Sequence, residues 1–263
     1  MRYCLLLFIW ITLFSCRKNI SYHPNEVLPS HENLNAKNIS LINKLAPRDS
    51  FCFVFTGDTQ LAYDDTDDFI KHINSMADVS FVVFNGDYAE YGLNSEFNLF
   101  AEKLDKLKLP FVAVIGNHDM LANGRTIYRT MFGVENFSFN YGNSFFVLMN
   151  TNSGEAGFDG TLPDINWIKK TIDGAGSYTN VFFISHVPPY SSDFDRKLED
   201  DYHKLISSPV NSRLSLHGHL HNYTYAIPYN DGFPYLVAPA ISKREYILVS
   251  VMNDTFKVEV KSF

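Results

Sequence analysis

The chain has 263 residues, of which 46% are hydrophobic and 19% charged, a balance that excludes a disordered chain and leaves enough apolar surface for a sizeable core. Its formal net charge of −7 argues against nucleic acid as a partner, because a phosphate backbone requires a basic footprint. It does not exclude a small phosphorylated substrate, since bound cations reverse the potential locally.

The N-terminus carries the first signal. Met1-Arg2-Tyr3 holds one positive charge, and residues 4–14 are apolar apart from Thr12. Such an eleven-residue run is too short to cross a bilayer as a helix and suits the apolar region of a signal peptide. Leu13-Phe14-Ser15-Cys16 resembles a bacterial lipobox. The expectation is therefore a signal peptide over 1–15 and a lipid on Cys16. This implies export to a bacterial cell envelope, with membrane contact through that lipid only. An uncleaved anchor or an ordinary signal peptide is the alternative. Once Cys4 leaves and Cys16 is lipidated, only Cys52 remains, and one thiol forms no intrachain disulfide. Residues 16–48 are polar and aperiodic, with Pro24, Pro29 and Pro47; they read as a tether to a folded domain over 49–263.

Beyond the tether, apolar runs of strand type occupy 51–56, 79–85, 111–115, 180–185 and 213–216. Helical patterns lie between several of them. Over 94–108, Phe97, Phe100, Leu104 and Leu107 recur at three- and four-residue steps and form one apolar face. Residues 67–77, with an acidic start, and 162–172 are two further helices. The runs 137–141 and 145–150 flank Gly142-Asn143 as in a hairpin, and 235–263 is strand-rich. Strand–helix alternation succeeded by further strands predicts an α/β core with added antiparallel pairing.

The residues just past each strand carry the chemistry. The five runs end in Gly57-Asp58-Thr59-Gln60, Gly86-Asp87, Gly116-Asn117-His118-Asp119, His186, and His217-Gly218-His219-Leu220-His221. Ligands of open α/β sheets bind outside the carboxyl ends of strands, so Asp, Asp, Asn/His, His and His-x-His converge on one edge. These oxygen and nitrogen donors suit first-row divalent ions. They are too many for one tetrahedral ion and enough for two. Taken singly each motif is weak: Gly-Asp is a common turn, and a lone histidine is usually structural. Their joint order is not, since Asp58 to Asp87 is 29 residues and Asp87 to Asn117 is 30, each the length of one strand–helix–strand unit. Arg125 and Arg129 either meet a phosphate or lie on a solvated helix.

In order and spacing these motifs resemble the five blocks of the calcineurin-like metallophosphoesterase superfamily, over about residues 51–260. The resemblance implies a four-layer α/β sandwich, two mixed β-sheets flanked by helices. It implies one ion held by Asp58, Gln60, Asp87 and His221, and a second held by Asp87, Asn117, His186 and His219, with Asp87 bridging. His118 would stabilise charge or protonate the leaving oxygen. Glu90 stands near where the family often has an Asp that orients this histidine. His217 lies outside the pattern and receives no metal role. Gln60 replaces the more usual histidine, and an amide oxygen is a harder ligand than imidazole, so Mn²⁺ is favoured, with Fe²⁺ or Mg²⁺ ahead of Zn²⁺. Tyr91 stands where protein phosphatases carry an Arg, which counts against protein substrates. Two such ions ~3.5–4 Å apart activate water and clamp a phosphoryl group. The implied activity is hydrolysis of a small phosphomonoester or phosphodiester. A sugar- or lipid-linked phosphate or pyrophosphate of the envelope is the second reading. The third is a metal-binding lipoprotein without turnover, against which the non-ligand His118 counts.

Overall fold

A computed structural model describes residues 26–263. The signal peptide expected over 1–15 and the lipidated Cys16 lie outside the described residues.

Phenylalanines at alternate positions organise the core. In β1 (Ser50–Thr56) and β2 (Val79–Phe84), successive side chains point to opposite faces. Phe51, Phe53, Phe55, Phe81 and Val83 enter one apolar cluster, whereas Val54, Val82 and Phe84 enter another. Both faces are therefore covered, and the strands read as near-continuous apolar runs. β1 and β2 pair in parallel, as do β2 and β3 (Phe111–Ala113). The long hairpin of β10 (Glu245–Met252) and β11 (Thr255–Ser262) joins antiparallel to β1. The resulting sheet has the order β11-β10-β1-β2-β3.

The second sheet has the order β4-β5-β6-β7-β9-β8. It is built from β4 (Phe137–Tyr141), β5 (Ser144–Leu148), β6 (Asn180–Ile184), β7 (Ser212–His217), β8 (Thr224–Ala226) and β9 (Tyr235–Val237). Its inner face supplies Phe146, Phe182, Ile184, Leu214 and Leu216 to the cluster between the sheets. There Phe53 stacks on Phe81 with centroids 5.4 Å apart, and Phe146 meets Phe53 edge-on at 5.4 Å, geometries that aromatic quadrupoles favour. Outside the first sheet pack α2 (Tyr63–Ile73), α3 (Asn94–Leu104) and α4 (Gly124–Met131); outside the second pack α5 (Ile165–Asp173) and α6 (Arg196–Ser207). The architecture is the expected four-layer sandwich of two mixed sheets.

The tether expected over 16–48 does not extend through its described part. Leu34–Ile42 forms a helix, α1, that covers the open edge of β3. Asn35 accepts from the Ala113 N–H at 2.8 Å and donates to the Ala113 carbonyl at 2.9 Å. Asn38 accepts from the Phe111 N–H at 3.0 Å. Two asparagine side chains thus stand in for a neighbouring strand, which protects an edge that otherwise invites pairing. A polar composition was misleading here because these polar groups bond backbone, not solvent.

Candidate metal centre

The strand ends converge as expected. Asp58 follows β1, Asp87 follows β2, Asn117 lies beyond β3, His186 follows β6, and His219 and His221 follow β7. Asp58, Asp87 and His186 are buried and bring one ligand atom each within 4.8 Å of one another. His186 Nε2 lies 3.1 Å from Asp87 Oδ2, 4.0 Å from Asp58 Oδ1 and 3.0 Å from Asn117 Oδ1. His219 Nδ1 lies 3.0 Å from the same Asn117 oxygen. On the other flank, His221 Nε2 is 3.4 Å from Asp58 Oδ1 and Gln60 Nε2 is 3.4 Å from Asp87 Oδ2. Donors from both flanks thus adjoin Asp87.

The backbone is bent to achieve this. Asp58, Asp87, His219 and His221 have φ of 48°, 57°, 70° and 58°, in the left-handed region that costs non-glycine residues about 1–3 kcal/mol each. Asp119 anchors the bend at Asp87. Buried at the end of the Gly-Asn-His-Asp turn, it accepts N–H bonds from Asp87 and Gly116 on one oxygen (2.9 and 2.8 Å) and from Tyr88 and Ala89 on the other (2.8 and 3.0 Å). Gly116 is required beside it, because a Cβ there would collide with the Asp87 carboxylate and backbone N.

The electrostatics suit a cation. Burial disfavours the charged form of His186, yet the carboxylates of Asp87 and Asp58 push its pKa up to about 10. Burial would raise the carboxyl of Asp87, but His186 holds it below the ordinary value. Asp58 Oδ2 and Gln60 Oε1 are buried acceptors with no hydrogen-bond partner, which is costly unless something else satisfies them. A half-turn of the Gln60 amide exchanges two isosteric atoms and brings its oxygen toward Asp87. Clustered carboxylates, orphaned oxygens and imidazoles fit divalent cations, which would be held by Asp58, Gln60, Asp87, Asn117, His186, His219 and His221.

Histidine tautomers suit the same role. His186 Nδ1 faces the Asn85 carbonyl at 2.7 Å, so one N–H is fixed there and Nε2 is the atom that faces the carboxylates; its lone pair becomes available once a cation displaces the second proton. His219 shows the reverse arrangement: Nε2 lies 2.8 Å from Asp193 Oδ2, leaving Nδ1 to face Asn117. Outer partners of this kind fix ring orientation and raise ligand basicity. The sequence reading missed Asp193, whose only signal is its position seven residues past His186. It also missed Asp119 as the anchor of the turn.

The folded chain sharpens three readings. His118 donates its N–H to the Asp87 carboxylate (3.0 Å), and its Nδ1 meets the backbone carbonyl of Glu90 at 2.9 Å. The Glu90 carboxylate is 3.8 Å away, beyond hydrogen-bond reach, so the main chain, and not the Glu90 side chain, orients this imidazole. Burial lowers the His118 pKa, but that carbonyl and the charges of Asp87, Glu90 and Asp119 raise it on balance. His217 is a core residue. It closes β7, is fully buried between the hydroxyls of Ser185 (3.1 Å) and Ser215 (2.8 Å), and burial pushes its pKa down to about 3. Arg125 and Arg129 turn to a carboxylate of the chain itself: Arg125 pairs in bidentate fashion with the buried Glu135 (2.7 and 2.8 Å), and Arg129 joins at 2.7 Å.

A family model described as calcineurin-like phosphoesterase matches residues 52–231. In sequence the chain is 40% identical over 55 residues to a probable glycerophosphodiester phosphodiesterase, GpdQ, of Arcobacter nitrofigilis, covering 20% of each chain. It is 30% identical over 54 residues to a probable cyclic nucleotide phosphodiesterase of Xenorhabdus bovienii, covering 20% of this chain and 22% of that one. The matched stretches thus span about a fifth of these curated relatives. In fold it is similar to a dimetal phosphatase from Danio rerio, with a TM-score of 0.66 at 12% identity over 82% of this chain and 97% of that one.

Proposed function

The chain belongs to the calcineurin-like phosphoesterase family, and on that premise we propose that it hydrolyses small phosphate esters with two divalent ions, Mn²⁺ favoured. The observation that carries the reading is the meeting of Asp58, Asp87 and His186 from three strand ends, flanked by Asn117, His219, His221 and Gln60. The ions supply Lewis acidity, activating water and neutralising phosphoryl charge. Asp87, shared between the two donor groups, would contribute a carboxylate oxygen to each ion. Asn117, His186 and His219 hold one side, and Asp58, Gln60 and His221 the other. His118, oriented from the Glu90 main chain, presents its free Nε2 for delivering a proton to the leaving oxygen. Both curated relatives are named as phosphodiesterases, which supports a diester as substrate.

Metal content and hydrolysis of p-nitrophenyl phosphate and bis-p-nitrophenyl phosphate, measured after Mn²⁺ reconstitution with Asp87→Ala as control, test the reading. About two ions per chain and activity abolished by the substitution support it. A protein that binds no metal under any loading condition refutes it. Export and lipidation at Cys16 are part of the same proposal, supported by the apolar run before it. Fatty-acid labelling that persists in Cys16→Ser would exclude lipidation at that residue.

A further inference from the structure

We propose that the ester taken by this site carries an uncharged, apolar alcohol arm that lies along the exposed face of β8, an inference that rests on the phosphoesterase reading above. Large apolar side chains stand exposed on the loops that bear the ligands. Tyr91 lies four residues past Asp87, Leu121 four past Asn117, and Leu220 sits between His219 and His221. The track continues outward. From His221 the chain enters β8, and Tyr223, Tyr225 and Ile227 are 42%, 44% and 45% exposed. Residues at i, i+2 and i+4 of an extended segment share one face, so the three side chains stand on the same side of β8. At ~3.3 Å per residue the three span about 13 Å, the length of a medium alkyl chain. β8 is the last strand of its sheet and pairs only with β9 among the described residues.

Charge narrows the arm further. Glu155 and Asp193 stand together by the second donor group: Gly154 donates its N–H to the Asp193 carbonyl, and the Glu155 carboxyl is raised by burial and by Asp193 and Asp87. Arg125 and Arg129 are bound to Glu135, and Arg244 to Asp65 and Asp68. An arm with further phosphates, such as that of a nucleotide polyphosphate, would meet carboxylates without a free arginine from this set. An alkyl or acyl chain meets tyrosine rings and isoleucine. The first of these side chains lies two residues past His221, so the strand leads directly away from the donor set.

The experiment compares ethyl and octyl p-nitrophenyl phosphate, and ethyl and octyl phosphate, on the Mn²⁺-reconstituted protein below micellar concentrations. Calorimetry of ethyl- and octylphosphonate binding gives a readout independent of turnover. A buried methylene is worth up to about fourfold, so half-burial of the added chain predicts an octyl-over-ethyl preference of roughly tenfold or more in kcat/KM and in affinity. The exposed double substitution Tyr225→Ser with Ile227→Ser is expected to bring that ratio to within about threefold of unity. Equal treatment of ethyl and octyl compounds, or a preference that survives the double substitution, overturns this proposal and leaves phosphoesterase activity standing. Preference for a tyrosine-phosphorylated peptide over the octyl esters also overturns it, in favour of a peptide on the β8 edge. Hydrolysis of no ester whatever overturns the underlying reading as well.

Discussion

Replacing Asp193 by Asn tests whether an outer carboxylate controls metal affinity. The substitution keeps size and removes charge at a side chain that is 50% exposed, so the fold should survive it. In the present arrangement Asp193 Oδ2 accepts from His219 Nε2 at 2.8 Å, a charge-assisted bond worth ~1.5–3 kcal/mol when well shielded and about 1 kcal/mol at this exposure. That preference keeps the proton on Nε2 and the lone pair on Nδ1. An asparagine amide can instead donate to Nε2, which transfers the proton to Nδ1 and points it at Asn117 Oδ1, 3.0 Å away. The tautomer is then wrong for ligation. Loss of such partners typically weakens metal binding by about 10–100-fold, or roughly 1.4–2.7 kcal/mol. Competition titration with a chelator should show one of two ions weakened by this factor and the other unchanged. Activity should return at high Mn²⁺. Two unchanged affinities, or equal weakening of both ions, would refute the role given to Asp193.

Other outcomes rest on the packing. His217→Ala should leave metal stoichiometry unchanged while lowering stability by roughly 2–3 kcal/mol, through a cavity and two orphaned serine hydroxyls; denaturant unfolding and metal analysis on one sample decide it. Glu135→Gln should destabilise by roughly 2 kcal/mol at neutral pH, because it removes the buried anion facing two arginines. Burial raises the Glu135 carboxyl, but Arg125, Asn150 and Arg129 hold it below its ordinary 4.5. The wild-type advantage is therefore complete above pH 4.5 and vanishes as pH falls through the depressed folded value; thermal melts across pH 3–7 would show the two proteins converging at the acid end. Asn35→Ala should lose about 2 kcal/mol, since two backbone groups of Ala113 lose their partner. Proteolysis of the β3 edge should accelerate with it, and an unchanged rate would return α1 to the status of a tether.

The core strands were legible because their apolar runs are continuous, and the donor set was legible because it falls where those runs stop. Run length misled only slightly: β7 extends through His217, which carries that residue into the core instead of onto the ligand loop. α1 escaped notice because its buried face is partly asparagine (Asn35, Asn38), polar in composition yet paired with backbone. α6 was missed because only Tyr202 and Ile206 are buried on it, too few to set a clear period amid Arg196, Lys197, Glu199, Asp200 and Asp201. The part of Glu90 could not be read from residue identity, because a backbone carbonyl makes the contact. Asp193 lies on a loop, and only the folded chain brings it to His219.

The bonds that Asp119 makes have a consequence for the order of assembly. Its carboxylate ties together the Asp87 and Gly116 turns through backbone N–H groups alone, so the cradle around Asp87 is shaped by the polypeptide itself and needs no ion to form. A chain that folds first and is metallated afterwards acquires whichever divalent ion its surroundings supply and its donors tolerate. Its metal complement would then record the compartment in which folding finished, and the same polypeptide matured elsewhere would carry a different pair.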